Sequence, residues 1–235
     1  PLGGFGKMAT CSFYPAHHIT TGEGGMVSTS DENIERVVRS LCWWGRDCYC
    51  VGKANLLENG TCGKRFDRWL PELPDLTIDH KYVFTEMGYN LKPLDLQGAI
   101  GSVQLRKLGW IHKQRKAHYE GYRTFFSQYP DLFRIAEAHP QADVSWFGFP
   151  ITVTTNKFTK DELTQFLESA KIQTRNYFAG NLLFHPAYSH LGNPHDYPNA
   201  VTVTKSTFFL GVSPNLTEEQ MAYVKAKLAE FIAKH

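Results

Sequence analysis

The alternation of strand-like and helix-like patterns in the second half of the chain most constrains its fold. Residues 145–153 and 172–178 are predicted strands, and residues 208–212 form a third. Helical patterns separate and follow these strands, while residues 179–199 are rich in Gly, Pro, His and Asn and are predicted as a loop. Strands that alternate with helices predict a small α/β domain over this half.

Two helices in this half begin with the same signature. Thr159 and Glu162 form a capping box, in which the threonine hydroxyl and the acidic side chain satisfy the first free amides of a helix. Thr217 and Gln220 repeat the arrangement before an apolar-periodic segment that continues to the last residues. The sequence therefore predicts helices that begin directly after Thr159 and Thr217.

A longer helical pattern begins after Pro93 and is predicted to run to about residue 128, with a break near Gly109 or Gly121. Its predicted apolar stripe consists of Leu96, Ile100, Val103, Leu108 and Ile111. Earlier in the chain, the sequence predicts a strand ending near residue 15, a return strand over 24–29 and a helix over 31–44. This first third resembles the end of a larger α/β domain.

Composition narrows the functional classes. The chain of 235 residues is 42% hydrophobic and 20% charged, as in globular proteins, and its net charge of +2 does not indicate a nucleic-acid or membrane partner. No apolar run approaches the roughly 18 residues of a membrane span, and no signal peptide is visible. We expect a cytoplasmic protein. The chain opens Pro-Leu-Gly-Gly without Met, so we also expect residues upstream.

One short segment indicates a specific chemistry. Ser12-Phe13-Tyr14-Pro15-Ala16-His17-His18 precedes Gly22-Glu23-Gly24-Gly25, and together they resemble the cofactor-lysine segment of the DegT/DnrJ/EryC sugar-nucleotide aminotransferase family. There a lysine amine condenses with pyridoxal phosphate (PLP). Here His17 occupies the lysine position. An imidazole cannot form that Schiff base, but it transfers protons near neutral pH because its unperturbed pKa is about 6.5.

The resemblance extends nearly end to end through Gly88-Tyr89-Asn90, Asp95–Gly101 and the segment from Arg175 to Pro186. It implies a PLP-dependent aminotransferase fold of type I, with residues 1–115 in the large cofactor-binding domain and residues 116–235 in a small C-terminal domain. It also implies a homodimer. The family's aspartate for the pyridine nitrogen and its ring-stacking residue would then lie upstream of Pro1.

The resemblance also implies roles for individual residues. Ser12 would bond the cofactor phosphate, His17 would act as the base, and Asn90 would reach the cofactor phosphate of the neighbouring subunit. Arg175 and His185 would lie on the substrate side. The alternative from residue type is a turn residue for Ser12 and a structural role for His17 and His185. At Ser12 and His17 the match to the family motif favours the functional role. We expect Glu23 to bond backbone amides of its turn.

Five cysteines occur in the chain, and three of them, Cys48, Cys50 and Cys62, delimit a region that we call the cysteine segment, residues 48–62. Thiolates suit iron–sulfur clusters or zinc. One branch of the family binds a 2Fe-2S cluster through cysteines spaced Cys-x-Cys-x7-Cys and a fourth far upstream, whereas eleven residues separate Cys50 from Cys62 here. Cys11 is predicted to be a small buried residue, and Cys42 either packs in a core or replaces a ligand.

That branch implies a reaction and its partners. It dehydrates CDP-linked 4-keto-6-deoxy sugars at C3 with pyridoxamine phosphate (PMP) and receives electrons from a flavin- and iron–sulfur-containing NADH reductase. Lys64, Arg65 and Arg68 would steer an acidic partner or the diphosphate, or are ordinary solvated charges. Two alternatives stay open: a cluster-free dehydratase of GDP-linked sugars, and a non-catalytic metal-binding fragment of the scaffold.

Overall fold

The computed structural model describes residues 3–48, 63 and 65–235. The chain divides into two units, Pro1–Leu105 and Arg106–His235. This boundary and the sequence-based boundary at residues 115 and 116 both fall within one long helix. No helix in the described ranges is long and apolar enough to cross a bilayer.

The first unit contains a two-stranded antiparallel sheet and a helix. Strand β1 (Met8–Ser12) pairs with β2 (Gly25–Thr29) in a register that places Met8 opposite Thr29 and Ser12 opposite Gly25. Helix α1 (Glu32–Cys42) begins where the Asp31 carboxylate accepts hydrogen bonds from the amides of Asn33 and Ile34. A short 3-10 turn, His80–Tyr82, follows the cysteine segment.

Helix α2 (Asp95–Phe126) crosses from the first unit into the second without interruption. The predicted break at Gly109 or Gly121 was therefore wrong. A glycine inside a helix costs only about 1 kcal/mol relative to alanine, and a Cβ on Gly121 would lie 3.4 Å from the terminal methyl of Met221, so close packing supports the helix there. Of the predicted apolar stripe, Ile111 is buried and Leu96 is 68% exposed.

The second unit contains a four-stranded antiparallel sheet in the order β3-β4-β6-β5. The strands are β3 (Phe133–Ile135), β4 (Gly148–Val153), β5 (Thr174–Asn176) and β6 (Thr207–Gly211). Ile151 pairs with Phe208, and Thr174 pairs with Leu210. The sequence missed β3, predicted β4 and β5 with longer bounds, and placed β6 one residue too late, at 208–212.

Three further helices accompany this sheet: α3 (Lys160–Ser169), α4 (Pro198–Ser206) and α5 (Glu218–Ile232). Both predicted capping boxes are confirmed, at Thr159 with Glu162 and at Thr217 with Gln220. The hydrophobic core of this unit joins the end of α2 to the sheet and to α3 and α5, and its fully buried members include Tyr122, Phe149, Leu163, Phe208 and Leu228.

Candidate cofactor site

The loop that joins β1 to β2 carries His17, and Ser12 is the last residue of β1 before that loop. These are the two residues that the sequence predicts to act on the cofactor. The base of the loop is closed by backbone hydrogen bonds, from Phe13 N to Gly24 O (2.9 Å) and from Thr21 N to Phe13 O (3.0 Å). Ser12 ends β1, and its Oγ accepts a hydrogen bond from the amide of Tyr14 at 3.2 Å. His17 lies further along this loop, is exposed, and donates its amide hydrogen to Tyr14 O at 3.0 Å.

Two threonines fix the second half of this loop. Thr20 Oγ1 donates to Phe13 O at 2.9 Å and accepts from the amide of Gly22 at the same distance. Thr21 Oγ1 donates to Glu23 O at 2.6 Å. Gly24 has a φ of +151°, and a Cβ at this position would lie 2.3 Å from Thr21 Oγ1. A side chain therefore cannot replace the hydrogen of Gly24 without displacing Thr21.

The start of α2 contacts this loop. The Gln97 side chain donates from Nε2 to Glu23 O at 2.7 Å, and its Oε1 accepts from the amide of Leu94 at 2.7 Å. A Cβ on Gly101 would lie 3.0 Å from the Thr21 methyl group. Glu23 takes part through its backbone carbonyl, whereas the sequence predicted a role for its carboxylate. Gln97 was not predicted as a site residue, because a contact across so many residues leaves no local signal.

Asn90 lies on a segment that runs beside the end of α1. Tyr89 N donates to Leu41 O (2.7 Å), and Asn90 forms an isolated antiparallel bridge with Trp43. The exposed Asn90 amide accepts a hydrogen bond from the Lys92 ammonium through Oδ1. That ammonium also lies 3.4 Å from the ring centroid of Trp44. The asparagine is therefore oriented by a lysine that the aromatic ring itself holds.

Two glycines bring the backbone beside Asn90 against the backbone that precedes the cysteine segment. A Cβ on Gly88 would lie 2.1 Å from Gly45 N, and a Cβ on Gly45 would lie 1.8 Å from Glu86 O. Gly45 also has a φ of +81°, in the left-handed region. No side chain fits between these two strips of chain, so their separation is fixed by direct backbone contact.

The cysteines are only partly described. Cys48 is half-buried at the start of its segment, while Cys50 and Cys62 lie outside the described residues. Cys42 remains on α1 and donates from Sγ to Leu91 O at 3.0 Å. Cys11 is exposed, so its predicted burial was wrong, because little of β1 is covered. In the described ranges, no three His, Cys, Asp or Glu side chains come together as a metal-binding group.

The predicted substrate-side residues lie in the second unit. Arg175 is exposed on β5, donates from Nη1 to Thr174 O at 3.2 Å, and lines a cavity of about 1060 Å³ with Tyr122 and Phe209. His185 Nε2 lies 2.9 Å from Ala179 O, and since a carbonyl can only accept, this ring nitrogen carries the hydrogen. That bond ties the His185 ring to the backbone of its own loop.

Comparison with known proteins identifies relatives of the whole chain. The sequence profile of the DegT/DnrJ/EryC1/StrS aminotransferase family matches residues 1–229. The chain is 41% identical to the lipopolysaccharide biosynthesis protein RfbH of Salmonella typhimurium over 98% of its length and 52% of that protein's. It is 43% identical to the dTDP-4-dehydro-2,6-dideoxy-D-glucose 3-dehydratase of Saccharopolyspora spinosa over 99% of its length and 50% of that protein's.

A solved structure gives the same result. The Escherichia coli GDP-4-keto-6-deoxy-D-mannose-3-dehydratase, determined with bound hydrated PLP, matches 97% of this chain and 56% of its own length with a TM-score of 0.77 and 27% identity. The predicted fold class, that of the type I PLP-dependent aminotransferases, is confirmed. The chain spans about half the length of the curated relatives that it matches.

Proposed function

Because the chain belongs to the DegT/DnrJ/EryC1/StrS aminotransferase family, we propose that it serves in a PMP-dependent 3-dehydratase acting on CDP-4-keto-6-deoxy-D-glucose in the cytoplasm. The observation that carries the proposal is His17, exposed on the β1–β2 loop where family members that transfer amino groups carry lysine. Relatives named as nucleotide-sugar 3-dehydratases support this reaction class.

The residues of the β1–β2 loop suit a phosphorylated pyridoxal cofactor. Ser12 Oγ already accepts a hydrogen bond from Tyr14 N, so its own hydrogen is available to donate to a phosphate oxygen. When bound, PMP supplies the primary amine and the conjugated ring that allow the C3 hydroxyl group to leave. His17 accepts and returns a proton at an imidazole nitrogen, a role that typically contributes about 10² to 10⁴ in rate.

The remaining predicted residues bind the cofactor phosphate and the substrate. We propose that Asn90, oriented by Lys92, donates to a cofactor phosphate in a homodimer. Arg175 pairs with the substrate diphosphate, for which a planar guanidinium is well suited, and His185 supports that side of the substrate. Gln97 joins this set as a positioning residue, since it ties the loop that carries His17 to the start of α2.

In this proposal the cysteine segment binds the group that delivers electrons for the reduction at C3. Replacing the C3 hydroxyl group by hydrogen releases water and consumes two electrons and two protons, which an NADH-dependent flavin and iron–sulfur reductase would supply. A 2Fe-2S centre held by Cys48, Cys50, Cys62 and an upstream cysteine suits delivery of one electron at a time. Thiolate donors fit this group, and Cys48 stands half-buried at the edge of its segment.

The test begins with the full-length protein purified without oxygen. We expect about two iron and two acid-labile sulfide per chain, lost in Cys48→Ser and retained in Cys42→Ser, whose thiol is bonded on α1. A folded, PMP-binding protein without iron would instead support the cluster-free dehydratase of GDP-linked sugars, of which one relative is 30% identical over 77% of this chain. A protein that binds metal but no PMP would support the non-catalytic alternative.

His17 is tested separately from the metal. In His17→Lys we expect the visible absorbance of a Schiff base when PLP is added, together with loss of C3 dehydration. His18→Lys is the matched control, since it introduces the same amine one residue away and should leave dehydration intact. Undiminished dehydration in His17→Lys would exclude His17 as the base.

A further inference from the structure

Lys160 is a buried lysine of the second unit that the proposed mechanism does not use. It is the first residue of α3, and only 8% of its side chain is exposed. Its ammonium donates hydrogen bonds to Asn176 Oδ1 at 3.1 Å and to Thr204 O at 3.0 Å, and it lies 3.7 Å from the Asp161 carboxylate. Burying an ammonium group is costly unless protein oxygens replace water around it. Lys160 therefore joins the start of α3 to the last residue of β5 and to α4.

Thr204 extends this connection to the turn that follows β5, which spans residues 177–181. Its hydroxyl accepts a hydrogen bond from Asn181 N at 2.8 Å. Asn181 is itself buried. Lys160 therefore holds the chain before the turn through Asn176, and the residue whose carbonyl group it bonds holds the end of the turn.

The turn has a strained backbone conformation. Phe178 has a φ of +51°, in the left-handed region that residues other than glycine rarely adopt, and its side chain is 67% exposed. A Cβ on Gly180 would lie 2.5 Å from Thr204 Oγ1, so the turn rests directly on α4. Strained residues persist where the surrounding structure enforces them, and they are concentrated at functional sites. The contacts at the two ends of the turn supply that enforcement.

The turn lies beside Arg175, the residue proposed to bind the substrate diphosphate. Arg175 directly precedes Asn176 and is paired across the sheet with Phe209, so the side chains of this pair lie on the same face. The Phe209 ring centroid lies 5.9 Å from that of Phe178. The arginine and the exposed ring of the turn are thus both neighbours of Phe209.

We propose that Lys160 is a positioning residue that holds Arg175, through the end of β5 and the turn after it, in the place where the diphosphate of a nucleotide sugar binds. A side chain that is already held loses less conformational freedom on binding, so this arrangement strengthens the binding of the anion. That the anion is a nucleotide diphosphate rests on the proposed function, whereas the hold on the turn rests on the contacts of Lys160.

Three variants separate the hydrogen bonds of Lys160 from its packing. Lys160→Met keeps a long unbranched side chain and removes both donated hydrogen bonds. Lys160→Arg keeps a buried cation with several donors and should restore most of what Lys160→Met loses. Thr152→Val is the matched control, because it removes the 2.9 Å hydrogen bond between the Thr152 and Thr207 hydroxyls in the same sheet.

The experiment uses the full-length protein and measures hydrogen exchange at the Asn181 amide and the dissociation constant of CDP. We expect Lys160→Met to exchange the Asn181 amide at least about tenfold faster and to bind CDP about tenfold more weakly. Thr152→Val should change neither quantity, although it lowers the midpoint of urea denaturation. In an Arg175→Ala background, Lys160→Met should weaken CDP binding no further, because its effect passes through Arg175.

The outcomes distinguish this proposal from the proposed function. Exchange of Asn181 at the native rate in Lys160→Met overturns the positioning role, whether or not CDP binds. Native CDP affinity in Lys160→Met also overturns it, and so does an undiminished effect of that substitution in the Arg175→Ala background. If the native protein binds no CDP, the proposed nucleotide is wrong, and inorganic pyrophosphate then tests Arg175 by the same criteria. A native protein that binds neither CDP nor pyrophosphate overturns both proposals.

Discussion

Individual residues at the β1–β2 loop divide into those that a sequence motif singles out and those that only the fold brings together. His17 and Ser12 stand in a contiguous motif, and its resemblance to the cofactor-lysine segment of the family singled them out as candidates. Gln97 stands in a second motif, and only the fold shows that it bonds Glu23 O. Cys11 was misjudged because a strand predicts alternation of faces but does not say whether either face is covered.

Gln97 offers the first test at this scale. Gln97→Ala removes the hydrogen bonds to Glu23 O and Leu94 N, which should cost about 1 kcal/mol and weaken PMP binding about fivefold. Gln128→Ala is the control, since the Gln128 side-chain amide donates to Thr124 O within the second unit. Titration with PMP measures the affinity of both full-length variants. If Gln97→Ala binds PMP as tightly as Gln128→Ala, Gln97 does not position the site.

Tyr122 gives a prediction for alkaline pH. Burial raises the pKa of Tyr119 and of Tyr122 to about 12, above the value of about 10 in unfolded chains. Neutral tyrosine therefore stabilises the fold below about pH 10, and this contribution is lost as the pH rises towards 12. We expect alkaline unfolding in that window, and the rise in phenolate absorbance measures its progress.

Substitution tests this link. Tyr122→Phe removes one of the linked ionisations and should move the midpoint of alkaline unfolding to higher pH. Tyr14→Phe, at an exposed position, should leave the midpoint unchanged. A midpoint that is the same in both variants would show that ionisation of Tyr122 is not coupled to unfolding.

Whole helices were predictable where capping side chains mark their first residues. Both capping boxes appear in the structure as the sequence predicts. Helix α4 was missed because its sequence, with Val201, Thr202, Val203 and Thr204, is β-branched and has low helix propensity, so tertiary packing overrides local preference. Strand β3 was missed because three residues are too few for a periodic signal.

The capping box of α3 is testable. Thr159→Ala removes the hydroxyl that accepts from Glu162 N and should lower the free energy of unfolding by about 1 kcal/mol. Thr164→Ala, at a half-buried position inside the same helix, leaves the cap intact and should lower it by less. Urea denaturation measures both, and equal losses would mean that the cap contributes no more than a threonine inside the helix.

The molecule as a whole distributes its core unevenly. Every residue of the hydrophobic core cluster lies in the second unit, and Val83 is the one buried hydrophobic side chain among the described residues of the first. The sequence predicted apolar faces in both units. It could not show that Leu96 and its neighbours on α2 stay exposed in this chain. Periodicity predicts which face of a helix is apolar, but it does not show whether another element packs on that face.

This distribution predicts two levels of protection from hydrogen exchange. In the 235-residue chain, amides of β4, β6 and α5 should exchange slowest, and those of α1 at least tenfold faster, because local opening of the first unit exposes little buried surface. Exchange followed by mass spectrometry resolves these segments. Equal protection of α1 and β4 would show that the chain unfolds as one cooperative unit.

The backbone contact between Gly45 and Gly88 has an evolutionary consequence. Gly45 lies shortly before the cysteine segment and Gly88 shortly before Asn90, so the two described stretches of backbone hold each other at a separation that no side chain can enter. Descendants of one ancestral gene could then lengthen or shorten the cysteine segment while the backbone that carries Asn90 kept its place. Two glycines of this kind let neighbouring segments of a protein diverge at separate rates.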